Sequence, residues 1–186
     1  MLSGINSHWG YVSDTGYRYP PDEWKFWAAT GWTQTSRAFI ERDPVPCVVI
    51  RMSNTDQWSF NLIKPFQVEP NQKWTLTAVI GGRRWEWLGK NFAYAGIIGL
   101  DSNGQVVNWI VGSSGATRNF GWKKVSVTVT VPEGVTQLQP RFFGSGGGEF
   151  FVAAADFSQG TSPAELTVPS QGLPQSISHL KLIIPD

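Results

Sequence analysis

Aromatic and arginine side chains are grouped in a way that favours stacking over acid–base chemistry. The 186-residue chain contains ten Trp, four Tyr and eleven Phe. Trp85 and Trp87 are two residues apart, so both indole rings lie on one side of the chain wherever it is extended. Arg83 and Arg84 precede them and can donate hydrogen bonds to hydroxyls or a carboxylate, or stack on an indole. The segment is therefore a candidate for binding a ligand with a flat apolar face and polar edges.

Four residues on neighbouring predicted strands extend this candidate binding face. Tyr94 and Trp109 lie on the two strands of a predicted hairpin, and Gln139 and Arg141 share one face of a later strand. Two other interpretations remain open. The Trp pair can hold an edge strand against the aromatic N-terminal segment. It can also contact another protein, because Trp, Tyr and Arg are typical of protein interfaces.

The sequence offers no recognisable catalytic set. The two His residues, His8 and His179, lie in opposite terminal segments, so a His-based triad has no support. No acidic pair is spaced in a way that would place two carboxylates in one cleft. The ligands for a zinc site are also missing. We therefore expect a protein that binds and does not catalyse.

Charge and hydropathy exclude two classes of partner. Fifteen basic and fourteen acidic side chains leave a net charge of +1, which argues against nucleic-acid binding through a basic patch. No apolar stretch approaches the about 18 residues of a membrane-spanning helix, so no membrane insertion is expected. The first residues also lack the basic and apolar regions of a signal peptide, as in a chain made without one or in a domain cut from a longer protein.

Short alternating runs predict an all-β protein whose strands carry the candidate residues. Residues 125–131 alternate Val with small hydroxyl residues, so the Val side is expected in a core and the Ser/Thr side at the surface. The turn Asp101-Ser102-Asn103-Gly104 predicts a hairpin with positive φ at both Asn103 and Gly104. Together the runs predict eight or nine mostly antiparallel strands in a sandwich or barrel. They cover residues 45–52, 59–68, 74–80, 94–100, 105–111, 125–131, 137–143 and 149–157.

We expect one structural domain in three parts. An aromatic N-terminal segment, residues 1–35, packs on a sandwich formed by residues 36–157, and residues 158–186 form an extended tail. The N-terminal segment, residues 81–92 and the tail are predicted to lie outside the sheets. Because the tail has few charges and an apolar end, either its own sandwich or a neighbouring subunit must hold it.

The other Trp residues divide into two groups. One group opens or flanks predicted strands and is expected in the core: Trp32, Trp58, Trp74 and Trp122. The second group lies in the N-terminal segment, where it can wrap over the sandwich, form a sugar site at a loop tip or meet a partner subunit. It comprises Trp9, Tyr17, Tyr19, Trp24 and Trp27.

The order of four short motifs resembles that of jelly-roll carbohydrate-binding modules. Residues 66–78, FQVEPNQKWTLTA, are similar to the pF-x-V-x-P-G-x-x-Y-T-L-S-A stretch of these modules. Residues 98–106 resemble their strand–DSNG–strand hairpin, and residues 122–134 resemble W-x-x-x-S-x-T-x-T-V-P-x-G. Residues 149–158 resemble their closing G-x-x-Y-x-D-D-F-S strand. The resemblance implies an antiparallel jelly-roll β-sandwich.

The resemblance also implies a partner. A sugar ring has an apolar C–H face and a rim of hydroxyls, which aromatic rings and fixed polar groups match. The expected partner is thus a polysaccharide or surface glycan. Similar modules occur in bacteriophage tail and capsid-decoration proteins, so the alternative is a virion protein that docks to other subunits through its N-terminal segment and tail. Either function implies an extracellular or virion-surface location.

Three positions depart from the family pattern. Asn71 replaces a Gly, Trp74 replaces a Tyr, and Ala155 replaces the first Asp of the closing pair. The closing strand of many such modules helps to hold a structural Ca²⁺, and Asp156 is the carboxylate left for it. Because Ca²⁺ takes about six to eight oxygen ligands, Asp156 would be only part of such a site.

Overall fold

Alternating apolar residues form twelve strands in the computed structural model of the chain. The structure describes residues 5–8, 24–28, 36–42, 45–52, 57–83, 92–110, 120–146, 148–170 and 172–173. Within these ranges there is no helix, and therefore none with the length and apolar character that a membrane crossing requires. The strands are β1 (Ile5–His8), β2 (Trp24–Ala28), β3 (Ser36–Arg42), β4 (Val45–Met52), β5 (Trp58–Leu62), β6 (Phe66–Gln67), β7 (Lys73–Arg83), β8 (Phe92–Leu100), β9 (Val106–Ile110), β10 (Phe120–Thr130), β11 (Gln137–Ser145) and β12 (Gly148–Gln159).

The strands pair in two six-stranded antiparallel sheets. Sheet A has the order β10-β7-β12-β4-β3, and β1 also pairs with β12. Sheet B has the order β2-β5-β11-β8-β9, and β6 also pairs with β11. The predicted all-β antiparallel sandwich is confirmed. The described strands outnumber the predicted eight or nine because β1, β2 and β3 join the sheets and the run 59–68 is divided around Pro65.

The core lies between the sheets and is rich in aromatic rings. In β7, Trp74 and Leu76 point into the core while Thr75 and Thr77 point to the other side of the sheet. The ring of Phe150 in sheet A lies 5.5 Å from that of Trp58 and 5.9 Å from that of Phe142, both in sheet B. Each such ring contributes about 1.5–3 kcal/mol by its burial.

The backbone of two turns agrees only in part with the sequence pattern. Asn71 has φ 68°, so it adopts the left-handed conformation that Gly would take at the same position, and Asn tolerates this better than most residues. In the hairpin turn, Gly104 has φ 76° but Asn103 is not in the left-handed region, contrary to the prediction. The Asp101 carboxylate instead accepts hydrogen bonds from the amides of Asn103 and Gln105 and holds a longer turn.

The Trp residues divide differently from the prediction. Trp58 and Trp74 are buried in the core, as expected. Trp24 also belongs to the core, where it stacks on Phe60 at 5.2 Å. Trp122 does not: it is half-buried on the outer face of sheet A, against Phe151. Its strand places Val125 and Val129 in the core, and position 122 has the opposite phase.

Trp27 is exposed on the outer face of sheet B, whereas Trp24, three residues earlier on the same strand, enters the core. Trp9, Tyr17, Tyr19 and Trp32 lie outside the described residues.

The start of the C-terminal tail lies on the outer face of sheet A. The Gly160 amide donates to the Lys73 carbonyl at 2.7 Å, and the Ala164 amide donates to Thr77 Oγ1 at 3.0 Å. Leu173 packs closely against Gly81, where a Cβ atom would lie 2.3 Å from Leu173 Cδ2. As a result Thr77 and Val79 are fully buried although they point away from the core. The described part of the tail is therefore held by its own sandwich.

We expect Thr77→Val to loosen this part of the tail. Val has the same shape but cannot accept the Ala164 hydrogen bond, so the free energy of unfolding should fall by about 1 kcal/mol. Amide hydrogen exchange at Ala164 should become faster. Thr130→Val is the matched control, because Thr130 is exposed at the end of β10. Equal exchange rates at Ala164 in the two variants would contradict the proposed contact.

Candidate functional site

The outer face of sheet B carries exposed aromatic rings with polar side chains between them. In β11, Leu138 and Phe142 enter the core, so Gln139, Arg141 and Phe143 point to the outside. The pairing of the neighbouring strands extends this surface across the sheet. We call it the outer face of sheet B and define it by Trp27, Ser59, Asn61, Tyr94, Trp109, Gln139, Arg141 and Phe143.

Strand pairing sets the order of these residues. Trp27 pairs with Ser59, which pairs with Phe143, which pairs with Tyr94. Trp109, on β9, pairs with Ile98 at the opposite edge of the sheet. The strands carrying Trp27 and Trp109 are four inter-strand spacings apart, or about 19 Å.

The two edge Trp residues are the most accessible rings of this face. Trp27 is 49% exposed and Trp109 is 59% exposed. Tyr94 and Phe143 lie between them, half-buried, and stack with their centroids 5.5 Å apart. The face therefore offers flat apolar surface near both of its edges and in its middle.

Arg141 lies near the centre of the face and is mostly buried. Its guanidinium carbon is 5.0 Å from the centroid of the Trp109 ring and 5.2 Å from that of Phe143. These cation–π contacts hold the guanidinium close to both rings. Because the residue is only 9% exposed, desolvation lowers the pKa of the guanidinium below its ordinary value. No carboxylate of the described residues pairs with it.

Two polar atoms in the middle of the face are buried without a hydrogen-bond partner. They are Arg141 Nε and Asn61 Oδ1, and the two residues are direct register partners on β11 and β5. Asn61 is held in place by a 2.8 Å hydrogen bond from its Nδ2 to Ser59 Oγ. Gln139 is held too, because its Nε2 donates to the Leu62 carbonyl. The middle of the face thus contains one donor and one acceptor without a hydrogen-bond partner, on two residues that are register partners.

The structure brings together four of the eight predicted ligand-binding residues. Tyr94, Trp109, Gln139 and Arg141 all lie on the outer face of sheet B. Arg83 does not join them, because its strand belongs to sheet A. Arg84, Trp85 and Trp87 lie outside the described residues.

Arg83 lies on the outer face of sheet A, where contacts within that sheet hold its side chain. Its guanidinium forms an ion pair with the buried carboxylate of Glu149, and Nε donates to Glu149 Oε2 at 2.7 Å. The same guanidinium lies 5.5 Å from the centroid of the Phe151 ring. The grouping of Arg83 with Tyr94 and Arg141 on one face is therefore wrong. Residues 81–83 continue β7, which carries Arg83 away from sheet B.

Four residues of the face were missed from the sequence. Ser59 and Asn61 were detectable, since they alternate with Trp58, Phe60 and Leu62 in the manner of a half-buried strand. Phe143 shares the phase of Gln139 and Arg141 but is apolar, and so was not counted with them. Trp27 lies in a segment without a steady period, and only its pairing with β5 places it.

The carboxylate of Asp156, the predicted calcium ligand, forms a local hydrogen bond. Asp156 is half-buried, and its Oδ2 accepts a 2.9 Å hydrogen bond from Ser158 Oγ. Among the described residues, no group of three or more His, Cys, Asp or Glu is close enough together to hold a metal ion. Calcium binding at Asp156 stays a prediction from the sequence resemblance, without a described set of ligands.

The fold is similar to that of several solved carbohydrate-binding structures. The C-terminal family 22 carbohydrate-binding module of Clostridium thermocellum Xyn10B matches with a TM-score of 0.54 at 10% identity, over 80% of this chain and 96% of that one. A CBM4 module matches with a TM-score of 0.51 at 14% identity, over 75% of this chain and 88% of that one. The expected resemblance to jelly-roll carbohydrate-binding modules is confirmed at the level of the fold.

A phage protein shares the same fold. The enzymatically active domain of tailspike protein 4 from bacteriophage CBA120 matches with a TM-score of 0.57 at 15% identity. The match covers 74% of this chain but spans only 19% of the tailspike chain. No protein-family model and no curated protein matches the sequence. At these identities the matches show a shared fold and no more.

We expect the Trp109–Arg141 contact to appear as a coupling energy in stability measurements. In a double-mutant cycle with Trp109→Leu and Arg141→Met, the coupling should be about 0.5–2 kcal/mol, because the guanidinium is mostly desolvated. Urea unfolding of the wild type and three variants measures it. A control cycle that pairs Trp109→Leu with Lys124→Met, on sheet A, should give a coupling near zero. Equal coupling in both cycles would contradict a specific contact.

Proposed function

We propose that the chain is a non-catalytic glycan-binding module that recognises its ligand on the outer face of sheet B. The observation that carries this proposal is the exposure of Trp27 and Trp109 at opposite edges of one face, with fixed polar groups between them. The partner is a polysaccharide or a surface glycan.

Stacking supports this assignment because exposed indole rings suit the apolar faces of sugars. Large aromatic side chains are normally buried, and their exposure on one continuous surface is typical of a binding site. Trp rings give a large contact area at a small cost in conformational entropy. With the strands of Trp27 and Trp109 about 19 Å apart, the two rings can contact separate parts of an extended chain.

The polar groups of the face support recognition of a hydroxyl-rich ligand. Asn61 Oδ1 can accept a hydrogen bond, and Arg141 Nε can donate one. Leaving such buried groups unpaired costs about 1–3 kcal/mol each, so a ligand that reaches them by a small shift of the side chains recovers part of this energy on binding. Their positions are held by Ser59 and by the Trp109 and Phe143 rings, which reduces the ordering that binding requires.

Binding without catalysis fits the residues that the face contains. The strands of sheet B contain no Asp, Glu, His or Cys. Hydrolysis of a glycosidic bond commonly uses two carboxyl groups that flank it, one as acid and one as base or nucleophile. The described face supplies neither of them.

The alternative is a virion protein that uses this fold to dock to other subunits. The match to a phage tailspike domain is compatible with this alternative. A module that binds polysaccharide can act outside a cell or on a virion surface, so location does not separate the two functions. The described tail, however, is packed on sheet A of its own chain at Gly160 and Ala164. We therefore favour the glycan module.

The test is a glycan array combined with light scattering of the purified chain. We expect saturable glycan binding by the wild type, and Trp109→Ala and Trp27→Ala should each weaken it about tenfold or more, as expected for loss of a stacking ring. Val168→Ala removes an exposed apolar side chain from the tail and should leave the affinity unchanged.

The outcomes separate the two functions. A chain that binds no glycan but forms oligomers or attaches to a larger particle would support the virion protein and refute the glycan module. Glycan binding that survives both Trp substitutions would refute the outer face of sheet B as its site.

A further inference from the structure

The strands of sheet B have an unusual charge content. They contain two cationic residues, Lys25 and Arg141, and no acidic residue. The strands of sheet A, in contrast, contain both signs and pair Arg83 with Glu149. An acid on sheet B would have been the simplest way to neutralise Arg141. Among the described residues of this face, the positive charge is not balanced.

Arg141 is buried in a way that disfavours its charge. A buried cation is normally paired with a carboxylate, because removing it from water is costly. The contacts with Trp109 and Phe143 offset part of this cost, but Nε has no hydrogen-bond partner. An anion placed against the guanidinium would replace the stabilisation of the charge that is lost when burial removes it from water. Among the described residues, no carboxylate supplies this anion.

Asn61, on the neighbouring strand, adds an acceptor to the same face. Its Oδ1 is buried and unpaired, and the residue is the direct register partner of Arg141. A ligand that satisfies both atoms must present an anionic acceptor to the guanidinium and a donor, such as a hydroxyl, to the amide oxygen. A sugar that carries a carboxylate has these two groups on one ring.

We propose that the ligand of this face is an acidic saccharide, and that Arg141 binds its carboxylate between Trp109 and Phe143. The inference rests on the proposed function and names the substrate class of the same site. The planar guanidinium matches a carboxylate with two parallel hydrogen bonds, which a neutral hydroxymethyl group cannot reproduce. Asn61 accepts from a neighbouring hydroxyl, and the rings cover the apolar face of the sugar.

The test compares acidic polysaccharides with their own neutral forms. Polygalacturonate, alginate and glucuronoxylan serve as probes, each paired with the same polymer after chemical reduction of its carboxyl groups to hydroxymethyl groups. Isothermal titration calorimetry of the full chain gives each affinity. We expect at least one acidic polymer to bind tenfold or more tightly than its reduced form, and this preference to weaken as salt is raised.

Arg141→Met tests whether this residue provides the preference. It keeps an apolar stem against the rings but removes the charge, so the acidic and reduced polymers should bind within about threefold of each other. Lys124→Met removes the same charge from the outer face of sheet A and should keep the full preference. The comparison of acidic with reduced polymers in the wild type needs no variant, so it stands even if Arg141→Met does not fold.

Each other outcome has one meaning. Equal binding of acidic and reduced polymers by the wild type would overturn the inference and leave the glycan module intact. Binding of κ-carrageenan, a sulfated galactan without carboxylates, in preference to every uronate polymer would overturn the choice of carboxylate. A chain that binds none of these polymers and no glycan on the array would overturn the proposed function itself.

Discussion

Aromatic rings packed between the two sheets hold the sandwich together and orient its strands. Phe150 of sheet A contacts Trp58 and Phe142 of sheet B, and Trp24 of the edge strand β2 stacks against Phe142. Because alternate residues of a strand point in opposite directions, burial of these rings fixes which residues face outward. The positions of Asn61 and Arg141 on the outer face follow from the burial of their neighbours.

The two outer faces of the sandwich differ in how far the chain itself covers them. Gly160, Ala164 and Leu173 of the same chain contact the face of sheet A. The side chains of Thr75, Thr77 and Val79 on that face are fully buried. The face of sheet B keeps two exposed Trp rings and a cation without a carboxylate partner among the described residues. One face thus serves the stability of the chain, and the other presents the exposed rings on which the proposed glycan site rests.

Strand alternation made much of this structure predictable. The Val-rich run of β10 and the hydrophobic phase of β11 were sufficient to place Val125, Val129 and Phe142 in the core. The same phase grouped Gln139 with Arg141. It failed where strand ends extend into irregular sequence: Arg83 was assigned to the binding face because residues 81–83 did not look like a continuation of β7. Strand alternation also missed β2, because a pattern of five residues is too short to recognise. In this strand Trp24 enters the core while Trp27 remains exposed.

Three features follow from the sequence, because they depend on the preferences of residues close together in the chain. They are the all-β class, the hairpin at residues 101–104 and the apolar phase of the central strands. The sequence also supplied Tyr94, Trp109, Gln139 and Arg141 as binding candidates. Which of them share a surface depends on the tertiary fold, because strand order and register join residues far apart in sequence. Asn61 is the register partner of Arg141, and Trp27 lies across the sheet from Trp109. Burial of the guanidinium without a described carboxylate partner is likewise a property of the assembled sheet, since it depends on what every neighbouring strand contributes.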